Sequence, residues 1–265
     1  VIPMKLLKDD IKKKNRVIFD YEVGSHYIAN NREKMEKLPE VGNNIWNGCR
    51  AMSYDAKHAY FQNAVTPDIA LQQVVRFNHP RLGDVSLAVC ATFFGNKTSS
   101  YIYNRRESPL RKFIKNRGLK SNSYIDDYVF YTFNDSLASK LYSSFIQRML
   151  VRLNKQIRVK KTDLIGKQKW IFRGFEWDSK SMLVKVYDDK RERIIKLFKK
   201  YDKDNIKIIK VRILARLLGK VVSCSYAMPF VSIAASGIKE TLKSCHHVIG
   251  DVKAVWKYTV DVTDN

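Results

Sequence analysis

The sequence predicts an α/β (α+β) fold, a mixed body of strands and helices followed by a helical last third. Three observations predict it. Short runs rich in aromatic and β-branched residues recur through the first two thirds, amphipathic stretches fall between them, and from Asp189 onward helical periodicity dominates. A chain of 265 residues can bury a large core as one to three subdomains, and 45% apolar with 12% aromatic residues excludes a disordered chain.

A basic cluster, Lys12-Lys13-Lys14, precedes a strand-like run from Arg16 to Phe19, and a second strand ends at Tyr54-Asp55. Thr98 to Arg117 has a helical pattern that Pro109 should kink or divide. Ser123 to Tyr131, S-Y-I-D-D-Y-V-F-Y, reads as a β-hairpin with Asp126 and Asp127 both at its tip. Ser136 to Leu153 forms an amphipathic helix with Leu137, Leu141, Phe145 and Met149 stacked at intervals of four. A strand pair follows, around Trp170-Ile171-Phe172 and Met182-Leu183-Val184. Asp189 and Glu192 make a capping box for a helix to Tyr201. A second helix, about Val211 to Ser223, carries Val211, Leu214, Leu218 and Val221 on one face and Arg212, Arg216 and Lys220 on another. A third starts at Pro229. Without repeats or low-complexity linkers, tethered separate domains are not expected.

Forty-nine Lys and Arg stand against twenty-six acids, a formal charge of +23. So large an excess repels itself in a compact fold and calls for an acidic partner, nucleic acid first. A membrane partner is not expected, since no apolar run approaches the ~20 residues that span a bilayer. The basic, polar opening from Lys5 predicts no secretory leader, and the four scattered cysteines form no C-x-x-C pair. Both features suit an intracellular protein of the cytoplasm or nucleus. Cys224 with Cys245-His246-His247 matches no standard zinc spacing.

Asp55, Asp126 and Asp127 carry the candidate chemistry. Two-metal phosphoryl transfer needs carboxylates converging from rigid, adjacent elements on ions ~3.5–4 Å apart. A strand ending in Asp55 beside a hairpin tipped by Asp126 and Asp127 would supply them, and oxygen-only ligands suit Mg²⁺, with Mn²⁺ as a substitute. An Asp-Asp pair alone is more often a solvated turn; the ordered set around it is what turns the reading toward a metal site.

That ordered set resembles reverse transcriptases along essentially the whole chain. Arg16-Val17-Ile18-Phe19-Asp20 looks like the fingers strand whose arginine contacts the incoming triphosphate. Asp55-Ala56-Lys57-His58-Ala59-Tyr60-Phe61 looks like the first palm motif, Phe94-Gly95-Asn96-Lys97 the second, and Tyr124-Ile125-Asp126-Asp127 the catalytic hairpin. Pro109 falls where the family often has a proline in the following helix, and Lys160 and Lys161 fall where it carries a lysine near the triphosphate. Phe172-Arg173-Gly174-Phe175 looks like the primer-grip hairpin, and the segment with Leu217-Leu218-Gly219-Lys220 like the thumb. That thumb wording and Lys34-Met35-Glu36-Lys37-Leu38 resemble DIRS-type (tyrosine-recombinase) retrotransposons. Four positions depart from the family pattern: Glu22 and Ser25 stand where Arg and Asn are usual, and Phe93 and Ser100 where prolines are usual.

The resemblance implies a right-hand polymerase with fingers, a ferredoxin-like antiparallel palm and a helical thumb. Fingers would take 1–46 and 64–96, palm 47–63 and 97–186, and thumb 187–265. It implies dNTPs as substrates, an RNA template, a DNA primer and the RNA–DNA hybrid as partners, and two Mg²⁺ ions on Asp55, Asp126 and Asp127. Tyr60 would be a gate against the ribose 2′-hydroxyl, or else a core aromatic. Arg16, Phe94 and Gly95 would line the nucleotide. Lys160 and Lys161 would serve the triphosphate or form a solvated basic turn. Phe172, Gly174 and Phe175 would hold the primer, the two phenylalanines being core residues first, and Arg212, Arg216 and Lys220 would follow the template–primer backbone. No second acidic constellation suggests RNase H and no Asp-Ser/Thr-Gly protease motif occurs, so the chain is expected to belong to a longer polyprotein or to work with an RNase H elsewhere. The alternative is an inactive reverse-transcriptase-like domain kept as a nucleic-acid-binding scaffold. A ribosomal-type basic protein fits the charge but not the motif order.

Overall fold

A computed structural model describes residues 4–9, 14–19, 35–96, 98–202, 208–249 and 259–261. The chain divides into two compact units, Val1–Lys167 and Gln168–Asn265.

The first unit opens with an antiparallel hairpin, β1 (Met4–Asp9) with β2 (Lys14–Phe19). Then come α1 (Leu38–Gly42), β3 (Arg50–Asp55), a 3₁₀ turn at Ala59–Gln62 and α2 (Pro67–Leu71). A second hairpin joins β4 (Val74–His79) to β5 (Gly83–Ala88). The long helix α3 (Ser99–Asn116) leads into β6 (Ser121–Tyr124) and β7 (Asp127–Thr132), followed by α4 (Ser136–Arg152), a 3₁₀ turn at Val159–Lys161 and β8 (Asp163–Lys167). The central sheet is antiparallel, in the order β6-β7-β3-β8.

Cross-strand register explains which residues make the core. Met52 opposes Phe130 and Tyr54 opposes Tyr128, so all four point to one face, and the rings of Tyr54 and Tyr128 stack 4.5 Å apart. Tyr103, Leu110 and Ile114 of α3 and Ile146, Met149 and Leu150 of α4 join the same buried cluster. Each such side chain contributes ~1.5–3 kcal/mol by leaving water. Asp135 caps α4, its Oδ1 accepting the backbone N–H groups of Leu137 and Ala138.

Several expectations are corrected here. Pro109 does not divide its helix: α3 runs unbroken through it. Loss of one backbone donor is outweighed by the buried Tyr103, Leu110 and Ile114 on either side. The buried stripe of α4 is the expected one only in its second half: Met149 is buried and Phe145 packs on the core, but Leu137 and Leu141 are exposed, and Ser139, Ile146 and Leu150 are buried with Met149. A strict i+4 row drifts ~40° per step on a helix of 3.6 residues per turn, so it cannot stay on one face for four turns.

In the second unit, β9 (Lys169–Phe172), β10 (Phe175–Asp178) and β11 (Leu183–Val186) form a three-stranded antiparallel sheet. The expected pair thus has β10 between its members, joined to β9 by the hairpin expected at Phe172–Phe175. Arg173 and Gly174 turn the β9–β10 hairpin with φ of 54° and 77°, the left-handed pair a tight two-residue turn needs. The helix α5 (Asp188–Asp202) begins before Asp189, which therefore sits in the first turn and not at the cap. After β12 (Ile208–Lys210) comes α6 (Val211–Val222), burying Val211, Leu214 and Leu217. The third helix expected at Pro229 is a short α7 (Val231–Ala234) followed by α8 (Ser236–Ile249). The last strand, β13 (Thr259–Asp261), pairs with β12. No helix among the described residues is long and apolar enough to cross a membrane.

Candidate active site

The strand β3 ends beside the β6–β7 hairpin. Asp55 lies directly opposite Asp127 in the ladder, and the Ala56 N–H donates to the Asp126 carbonyl at 2.8 Å. The two-residue turn is Ile125-Asp126, since Tyr124 pairs with Asp127. This corrects the expected tip: Asp126 is at the turn, whereas Asp127 is the first residue of β7. Ile125 holds a φ of 53°, a conformation costly for a β-branched side chain and found mostly where function maintains it.

On its other side Asp55 is met by the segment after α4. Lys57 N–H donates to the Gln156 carbonyl at 2.8 Å and Arg158 N–H to the Asp55 carbonyl at 2.9 Å. That pairing delivers two cations: Lys161 Nζ is 2.7 Å from Asp55 Oδ2, and Arg158 Nε 3.4 Å from Oδ1. Asp55 is 4% exposed, and its Oδ1 receives no hydrogen bond among the described residues. Burial pushes the Asp127 carboxyl up to about 6, with the Asp126 and Asp55 charges adding to the shift. Asp126 is also raised, first by burial and then by Asp55. Three carboxylates are crowded here, with Lys161 and Arg158 partly offsetting them.

Tyr60 stands on the 3₁₀ turn after β3 and is 8% exposed. Its ring packs on Phe94 at 4.8 Å and on Tyr103 at 6.0 Å, and Thr92 Oγ1 donates to its carbonyl at 2.6 Å. Burial, and then the Asp126 charge, raise its hydroxyl pKa. Gly95, beside the part-exposed Phe94, has a φ of 108°, which a side chain would strain.

The structure therefore gathers Asp55, Asp126, Asp127, Lys161, Tyr60, Phe94 and Gly95 in one region. Lys160 is exposed beside Lys161. Arg16 lies on β2, with its side chain outside the described residues, as are Glu22, Ser25, Lys34 and Lys97. The other six belong to the second unit. Phe172 and Phe175 are buried, and Phe175 packs on Trp177 and Tyr226. A Cβ on Gly174 would come 3.0 Å from Lys190 Cδ. Arg212, Arg216 and Lys220 are all exposed on α6.

Sequence reasoning missed Arg158 and a buried network behind the hairpin. The Tyr128 hydroxyl donates to Glu107 Oε2 at 2.8 Å, and Lys155 forms an ion pair with Glu107 Oε1. Glu107 is 1% exposed. It is the only acid among the five bases of α3, a legible signal for a buried partner.

The donor chemistry fits a divalent metal: three carboxylates, no sulfur or nitrogen, and one buried Asp55 oxygen lacking a hydrogen-bond donor. As they stand, no three His, Cys, Asp or Glu side chains among the described residues gather tightly enough to hold an ion. Asp55 is turned to its cations instead.

The antiparallel β6-β7-β3-β8 sheet, bearing paired acids at a hairpin and backed by helices, can be compared with known structures. The chain has a reverse-transcriptase-like fold. The foamy viral protease-reverse transcriptase (dRH) in complex with double-stranded DNA superposes with a TM-score of 0.69 at 16% identity, covering 92% of this chain and 39% of that one. The foamy viral protease-reverse transcriptase with RNA/DNA hybrid gives 0.64 at 16% identity, covering 92% of this chain and 30% of that one. A further complex of that protein with double-stranded DNA gives 0.62 at 18% identity, covering 83% and 41%. The chain thus spans less than half of each of these proteins. They support the general fold and not the narrower DIRS-type resemblance. No family model and no curated protein sequence matches the chain.

Proposed function

We propose that this chain is the polymerase core of a reverse transcriptase, adding deoxynucleotides to a primer 3′ end. The observation that carries the reading is Asp55 in register with Asp127, one residue from Asp126 at a strained turn, on a reverse-transcriptase-like fold. Fingers, palm and thumb are assigned with it, the β6-β7-β3-β8 sheet being the palm. Partners would be an RNA template, a DNA primer and their hybrid, in keeping with the nucleic acids in the foamy viral complexes and with the formal charge of +23. RNase H activity would reside elsewhere.

Asp55, Asp126 and Asp127 would hold two Mg²⁺ ions, or Mn²⁺ in their place. Bound there, the ions would acidify the primer hydroxyl and take the charge of the leaving pyrophosphate. Lys161 would leave Asp55 for the triphosphate, a compact cation on a flexible stem being suited to that exchange. Tyr60, braced by Phe94 and Tyr103, would block a 2′-hydroxyl. Arg16, Phe94 and Gly95 would line the nucleotide. Phe172, Gly174 and Phe175 would shape the primer grip, and Arg212, Arg216 and Lys220 would follow the backbone.

One observation favours the scaffold alternative: Asp55 is already neutralised by Lys161 and Arg158. Primer extension on poly(rA)/oligo(dT) with Mg²⁺ and dTTP separates the two. Extension by the wild type and none by Asp126→Asn supports the enzyme; tight hybrid binding with no extension by either supports the scaffold.

A further inference from the structure

A concavity opens between α3 and α4, with a volume of about 600 Å³. That is within the ~300–1,000 Å³ range of small-molecule sites. Its wall is apolar: Leu110 and Phe113 come from α3, Phe145 and Met149 from α4. The rings of Phe113 and Phe145 lie parallel, 6° apart with centroids at 6.3 Å, and suit a flat apolar body.

The polar lining is one-sided. Its only acid is Glu107, and both oxygens of that carboxylate are already used by Tyr128 and Lys155. Arg106 is held by the Gln62 carbonyl at 2.7 Å and Asn63 Oδ1 at 2.9 Å. Arg148 and Arg152 remain. They stand at i and i+4 on α4, both exposed at the cavity, and among the described residues neither has an ion-pair partner. A basic helix face is ordinarily just solvated, but here it borders an aromatic hollow.

We propose that this cavity binds a small amphipathic anion: a flat apolar body between the helices, and one carboxylate, phosphate or sulfonate head on Arg148 and Arg152. Concavity favours a small ligand over nucleic acid, whose backbone needs an open basic strip. Because Glu107 and Tyr128 link the cavity floor to β7, occupancy would also stiffen the hairpin that carries Asp126. The site stands apart from the proposed polymerase chemistry and does not depend on it.

The probe is 8-anilinonaphthalene-1-sulfonate, followed by fluorescence and calorimetry on the full chain. One saturable site per chain is expected, weakened about tenfold by Arg148→Ala/Arg152→Ala through loss of charge-assisted contacts. The neutral N-phenyl-1-naphthylamine should bind comparably weakly to the wild type and be indifferent to that double change. Met149→Trp, which fills the hollow, should abolish binding. If that variant misfolds on thermal melting, the arginine variant decides, since both residues are exposed. No saturable binding, or equal binding by wild type and the arginine variant, overturns the proposal. So does displacement of the probe by single-stranded oligonucleotide with the same arginine dependence, which would make the site a nucleic-acid contact.

Discussion

Lys155→Met is the perturbation that probes the support of the acidic hairpin most sharply. Glu107 is 1% exposed, and its two oxygens are taken by Lys155 and by the Tyr128 hydroxyl. Lys155 has only 11% of its side chain exposed, so solvent screens the pair little. Removing the ammonium leaves a buried carboxylate with one neutral donor, a loss of ~3–5 kcal/mol by the usual cost of breaking a buried pair. At ~2–4 °C per kcal/mol for a domain of this size, melting should fall by about 6–20 °C. Lys155→Met/Glu107→Gln removes both charges while keeping an acceptor for Tyr128, and should regain most of the loss. Urea unfolding at neutral pH with circular dichroism measures all three proteins. A single variant within ~1 kcal/mol of wild type, or a double variant worse than the single, would refute the claim that this ion pair holds the hairpin.

Other consequences are open to measurement. Asp127, raised to about 6 from the ordinary carboxyl value of 3.8, binds its proton more tightly folded than unfolded. Its contribution to stability is therefore full at acid pH and is lost as pH rises from about 4 through 6, by up to ~3 kcal/mol. In EDTA, Asp127→Asn should abolish that component, read as the difference between the two proteins' stability–pH curves; parallel curves would contradict it. Changing Arg212, Arg216 and Lys220 together to Ala should make the log–log salt slope of hybrid binding shallower by about 2–3, and an unchanged slope would take α6 off the backbone. Tyr60→Val should improve ribonucleotide use relative to deoxynucleotides by about 10–200-fold, the range of steric discrimination in pockets. It should also cost ~1.5–3 kcal/mol of stability, because the ring is buried against Phe94 and Tyr103.

What could be read from the sequence follows physical locality. The Ser123–Tyr131 hairpin was legible because aromatic and β-branched residues around a polar step specify adjacent pairing. Its turn slipped by one residue because Ile125, and not an Asp or Asn, adopts the positive φ. The exposed Arg212, Arg216 and Lys220 were legible from helical spacing alone. Strand β10 was legible only as the far side of the hairpin at Phe172-Arg173-Gly174-Phe175; its alternation of Phe175 and Trp177 with Glu176 and Asp178 spans too few residues for periodicity to stand out. Partners distant in sequence were not legible. Lys161 reaches Asp55 across 106 positions and Lys155 reaches Glu107 across 48, and nothing local marks either pairing except the solitary acid in α3.

The central claim is that Asp55 and Asp126 act in catalysis while nucleic-acid grip resides elsewhere. The most direct measurement is single-turnover extension of a labelled RNA/DNA primer–template with Mg²⁺ by wild type, Asp55→Asn and Asp126→Asn, alongside hybrid affinity in the same buffer. The account predicts extension by the wild type, a loss of at least about a hundredfold in both variants, and affinities within about threefold of one another. A wild type that binds the hybrid as tightly as the variants and adds no nucleotide would contradict it.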